Sequence, residues 1–131
     1  MNIKMYRLVA LVLLMMLSVT AYAEGITTYA DAVFRDASIN ITSSGQVTYT
    51  ASTRSVHNSI SVSDCCLQLY INGEWTTVAT LPNPASIANT QSYYSSTNCA
   101  AYFSSGKYRV IAVFSADDYS ITRTSTERTF E

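Results

Sequence analysis

The sequence is poor in the residues from which most enzyme sites are built. It has one histidine, His57, so any Ser/His/Asp or Cys/His device has to run through it. That histidine lies in a polar stretch, residues 53–59, read here as a loop. No Gly-x-Ser-x-Gly pattern marks a nucleophile elbow anywhere in the chain. The four glycines are far apart, which excludes a glycine-rich phosphate cradle. Three cysteines without a C-x-x-C, beside one histidine, do not make a zinc set. Asp117-Asp118 supplies two clustered carboxylates where calcium takes about six to eight oxygens, so the pair reads as a solvated turn. The expectation is a protein that is not an enzyme and carries no cofactor or metal.

Charge is also scarce, at 13% of the chain. Past the N-terminal Lys4 and Arg7, the basic residues are Arg35, Arg54, Lys107, Arg109, Arg123 and Arg128, against nine acidic residues and with no basic run. Nucleic acid and anionic membrane are therefore unsuited as partners. No stretch beyond the leader holds a helical period, and no internal repeat or linker divides the chain.

What is present begins with that leader. A basic start is followed by an apolar core over residues 8–17 and by Ala21-Tyr22-Ala23 before Glu24. This pattern predicts a secretory signal peptide over residues 1–23. Its core is shorter than the roughly 20 residues of a membrane span, so no stable membrane insertion is expected after cleavage. No cysteine follows the cleavage site to carry a lipid. The mature chain, residues 24–131, is expected to be secreted into the extracellular space. In an oxidising compartment Cys99 is expected to form a disulfide with Cys65 or its neighbour Cys66, leaving one thiol over.

The mature part reads as strands. Along 106–116, Tyr108, Val110, Ala112 and Phe114 fall on one face and Ile111 and Val113 on the other, which predicts a central strand. Residues 38–42 and 46–52 alternate around Ser43-Ser44-Gly45, a hairpin. Ile60 and Val62 keep a period of two that Leu67, Leu69 and Ile71 continue on the opposite parity. The slip at Asp64-Cys65-Cys66 predicts a β-bulge or a strand break. Asn72-Gly73 predicts a two-residue type I′ turn. That turn sets Tyr70 opposite Trp75 and Leu67 opposite Val78, with Leu67, Leu69, Ile71 and Val78 on the core side. Pro82-Asn83-Pro84 ends the strand. Residues 85–90 read as a loop or short helical turn, 91–103 as a strand plus a connection, and 120–130 as an edge strand. Residues 24–37 read as an N-terminal arm or edge strand. The whole predicts an all-β fold, an immunoglobulin-like antiparallel β-sandwich of about seven strands over residues 38–131. Tyr108, at the start of its strand, fits the tyrosine corner of such folds.

Several pieces recur in a recognisable order. They are the leader, Ile41-Thr42-Ser43-Ser44-Gly45-Gln46-Val47, Leu67-Gln68, Asn72-Gly73-Glu74-Trp75 and Gly106-Lys107-Tyr108-Arg109-Val110. Together they resemble an uncharacterised family of small secreted proteins from clostridia-like Gram-positive bacteria. The resemblance implies a signal peptide plus one immunoglobulin-like sandwich. It implies no activity and no site residues, and the cysteines are not part of it.

The aromatic residues are what remains for a function. Tyr70, Trp75, Tyr93 and Tyr94, with Tyr102 nearby in sequence, form a candidate patch for a glycan or a protein partner. Arg109 reads as a surface or paired arginine. The leading expectation is a secreted, non-enzymatic module with a binding or structural role in the extracellular space or cell envelope. The alternative is a secreted effector or inhibitor that engages another protein through a loop near Cys65-Cys66 or residues 82–84.

Overall fold

In the computed structural model, which describes residues 31–131, the chain is all-β and forms one seven-stranded antiparallel sheet. The leader read over residues 1–23 lies outside the described residues. The strands are β1 (Phe34–Ile41), β2 (Gln46–Ile71), β3 (Glu74–Thr80), β4 (Ile87–Asn98), β5 (Gly106–Ala116), β6 (Tyr119–Thr124) and β7 (Arg128–Phe130). A 3-10 turn, Ala100–Tyr102, follows β4. β1 takes in the last residues of the segment read as an arm or edge strand.

The organising element is β2, which runs for 26 residues through the stretch read as a loop around His57. Its first part pairs with β1 on one edge and β4 on the other. Its last part pairs with β5 and β3. β5 in turn pairs with β6 and β7 along its far edge. Tyr49, from the first part of β2, packs edge-on against Phe114 of β5 with ring centroids 6.4 Å apart. The two ends of the sheet therefore share one core, which gathers Phe34, Ile41, Val47, Ile60, Leu67 and Val110.

Such a long strand serves one core because it changes phase twice. Val47, Tyr49, Ala51 and Thr53 face inward, then Ile60 and Val62, then Cys65 and Leu67. The first change falls where the register against β4 jumps from Ser52↔Ser92 to His57↔Thr90. The second is the slip visible in the sequence. Asp64 adopts φ 52°, and the register against β5 jumps from Ser63↔Val113 to Cys66↔Ile111, one extra residue on β2. Aspartate is among the few non-glycine residues that take this left-handed conformation readily.

The Asn72-Gly73 turn has φ 51° and 84°, the two positive values of a type I′ hairpin. Ile71↔Glu74, Tyr70↔Trp75 and Leu69↔Thr76 pair as the sequence predicts. Beyond them the register shifts, so that Leu67 meets Ala79 instead of Val78. The extra residue turns Val78 outward, 45% exposed, and Ile71 beside the turn is 39% exposed, so neither belongs to the expected core face. Leu81, just past β3, fills the core in their place. The segment 85–90, read as a loop or helical turn, already contains the start of β4.

β5 follows the predicted alternation, with Tyr108, Val110, Ala112 and Phe114 buried and the alternate residues half-buried. The Tyr108 hydroxyl accepts a hydrogen bond from the Ser104 amide at 3.2 Å and pairs with the Ser104 hydroxyl at 3.0 Å. Where β6 gives way to β7, Ser125 takes over the pairing with Val110. Its amide donates to the Val110 carbonyl at 2.8 Å, and its Oγ accepts from the Val110 amide at 2.8 Å. Both backbone groups of Val110 thus keep a partner at that gap.

Candidate functional site

The outer face of β3, β2 and β5 gathers aromatic, basic and amide side chains into one cluster. The I′ turn sets Tyr70 and Trp75 opposite each other on the side away from the core, with rings 5.2 Å apart and tilted by 57°. The register Gln68↔Arg109 places β5 on the other edge of β2. Lys107 and Arg109 alternate with the buried Tyr108 and Val110, so they share that outer face. The Arg109 guanidinium lies 4.4 Å from the centre of the Trp75 ring, and the Lys107 ammonium lies 5.0 Å from that of Tyr70. Each is a cation–π contact worth about 0.5–1 kcal/mol at an exposed site.

A hydrogen-bond relay fixes the arginine. Arg109 Nε donates to Gln68 Oε1 at 2.8 Å, and Gln68 Nε2 donates to Thr77 Oγ1 at 3.3 Å. Lys107 sits 3.7 Å from Glu127, both side chains largely exposed, a pair of little energetic weight.

Of the four residues expected to form the aromatic patch, Tyr70 and Trp75 are together and Tyr70 is 43% exposed. Tyr93 has to be removed from the patch. It is 1% exposed, its hydroxyl donates to the Ala85 carbonyl at 2.9 Å, and burial pushes its pKa up. On β4 it opposes Ala51, an inward position of β2, and the pleat turns it into the core. Tyr94, one residue on, opposes Thr50 and is 65% exposed, far along β2 from Tyr70 and in no ring contact with the pair. Tyr102, in the 3-10 turn, is also exposed and apart from them.

The expected disulfide is likewise corrected: Cys65, Cys66 and Cys99 are all free thiols. Cys65 and Cys99 are core residues, and burial pushes both thiols up, against an opposing pull from the Tyr49 hydroxyl at Cys65, and leaves them protonated. Cys66 falls on the other side of the bulge and is half-buried. The Tyr49 hydroxyl faces the Cys65 thiol in this core, with no oxygen or nitrogen partner. Burial drives its pKa well above the usual phenol range.

His57 is not in a solvated loop. Its Nδ1 lies 3.1 Å from Asp117 Oδ2 in the β5–β6 turn. The same carboxylate accepts from the amides of Asn58 and Ser59 at 3.3 and 3.1 Å. Asp117, at φ 50°, donates its own amide to the Ser59 carbonyl. Desolvation raises the Asp117 pKa, but the bonds from His57, Asn58 and Ser59 outweigh it and hold the carboxyl below its ordinary value. This carboxylate satisfies backbone donors just past the segment of β2 that leaves its pairing with β4. The ring, the carboxylate and the two amides together latch this stretch of β2 to the β5–β6 turn.

The aromatic pair is legible in the sequence, and its cations are not. Gln68 and Arg109 are 41 residues apart, and only the register of β2 against β5 brings them together. The signal in the sequence was the lone arginine interrupting an apolar strand. Compared with protein-family models, curated proteins and solved structures, the chain matches none of them.

Proposed function

We propose that this chain is an exported, non-enzymatic immunoglobulin-like module that binds a partner through the outer face of β3, β2 and β5. The observation that carries the reading is the Trp75–Arg109 and Tyr70–Lys107 cluster. Aromatic and arginine side chains held together on a solvent face are the composition of binding hot spots. Two features support the immunoglobulin-like part: one core is shared between the two ends of the sheet, and Tyr108 bonds back to Ser104 at the start of β5. The leader pattern over residues 1–23 supports export, as does the resemblance to small secreted proteins, of which we propose this chain is one. A Cys99 disulfide bracing a loop would favour the alternative of a loop-borne inhibitor, and Cys99 is a free thiol.

The test is an array of cell-surface glycans and exported-protein peptides probed with the protein and with Trp75→Ala. The variant is expected to keep its fold and lose its strongest ligand by about tenfold or more. Undiminished binding of every ligand by Trp75→Ala would remove this face from the function. Mass spectrometry of the exported protein is expected to show Glu24 as its first residue.

A further inference from the structure

We propose that this face takes an extended acidic peptide, whose carboxylates at alternate positions meet Lys107 and Arg109. The inference rests on the binding-face reading above and names its ligand.

The first observation concerns the rings. A flat sugar ring needs an open aromatic face, but Arg109 lies over Trp75, Lys107 lies over Tyr70, and the two rings tilt against each other. A ligand arriving at this surface meets the cations beside the exposed part of Tyr70. The second concerns the unused donors of Arg109. Its Nε is committed to Gln68, but its two terminal nitrogens have no hydrogen-bond partner among the described residues. No carboxylate there comes within 4.0 Å of the guanidinium. A guanidinium held over a ring and fixed at Nε by an amide is a fork ready for a carboxylate, with less than the usual loss of side-chain freedom. Lys107 has Glu127 at 3.7 Å as its counter-charge, an exposed pair that a ligand carboxylate can displace. Glu74 adjoins Trp75 in the chain but alternates to the opposite side of the pleat.

The third observation is spacing. Lys107 and Arg109 are two residues apart on one strand, so their same-face positions repeat at about 7 Å. An extended peptide repeats its own same-face side chains at the same interval. Glutamates at alternate positions thus fall into register with both cations at once, and adjacent glutamates do not.

Trp75 is the only tryptophan, so its emission reports on this face alone. The experiment titrates the purified protein with a short peptide alternating glutamate and threonine. The comparison ligands are a peptide of the same composition in Glu-Glu-Thr-Thr blocks, a Gln-Thr peptide and an oligogalacturonate. The alternating peptide is expected to shift the emission saturably and to bind more weakly as salt rises. Arg109→Gln and, separately, Lys107→Gln are each expected to weaken it about tenfold, and the Gln-Thr peptide is expected not to bind. No saturable change, or equal binding of the blocked peptide, overturns the inference. Tighter binding of the oligogalacturonate also overturns it while leaving the binding face intact. The binding face itself falls only if the array result is unchanged in Trp75→Ala.

Discussion

Along β5, Tyr108, Val110, Ala112 and Phe114 are buried, while Lys107, Arg109, Ile111 and Val113 remain half-buried on the opposite face. The two sets interleave on one strand and have different duties. The inner set derives its energy from removal of apolar surface from water, a term indifferent to partner identity. The outer set derives its character from particular neighbours: Gln68 and Trp75 for Arg109, Tyr70 for Lys107. A strand can thus hold a fold together and present chemistry without compromise between the two, because the pleat keeps them apart.

Substitutions that cross this division should have effects of very different size. The largest is expected from Phe114→Ala, which removes a fully buried ring packed on Tyr49. Urea unfolding should show a loss of about 3–5 kcal/mol. Ser125→Ala should cost about 1–3 kcal/mol by the same measurement, since the Val110 amide loses its acceptor inside the protein. Gly106→Ala is expected to cost about 1–3 kcal/mol. Its φ of 141° disfavours any side chain, and a Cβ there would lie 2.6 Å from Leu69 Cδ1.

The Asp117 latch gives a prediction with a sign. Its carboxyl is held below the ordinary value when folded, so its stabilisation is complete above the unfolded value of about 3.9 and is lost as pH falls through the lower folded one. Asp117→Asn should melt below the parent at neutral pH. The two melting curves should close on each other as the pH falls below about 4. Curves that stay parallel down to acid pH would show that the carboxylate charge does not matter.

The inner face was legible in the sequence because its signals are local. The alternation along 106–116, the Asn72-Gly73 turn and the phase slip at Asp64 each lie within a few residues, and each has its expected counterpart in the structure. Three readings went astray where a bulge or a long-range pairing intervened. Val78 was turned outward by an extra residue opposite Leu67, and Tyr93 was turned inward by its register against Ala51. The polar stretch around His57 looked like a loop because its strand character depends on β4 and on Asp117, 60 residues on. Compartment alone pairs the cysteines; the structure instead buries Cys65 and Cys99 among apolar neighbours and leaves Cys66 half-buried. The candidate site was half legible: the hairpin announced Tyr70 and Trp75, and nothing local announced that Arg109 would cross to them.

Arg109→Gln, examined for unfolding and for binding on the same preparation, tests this division of labour most directly. The division predicts a loss of stability of about 1–2 kcal/mol in urea, for one cation–π contact plus the Gln68 hydrogen bond, together with about tenfold weaker binding of the alternating acidic peptide. A stability loss as large as that of Phe114→Ala, or an unchanged affinity, would contradict it.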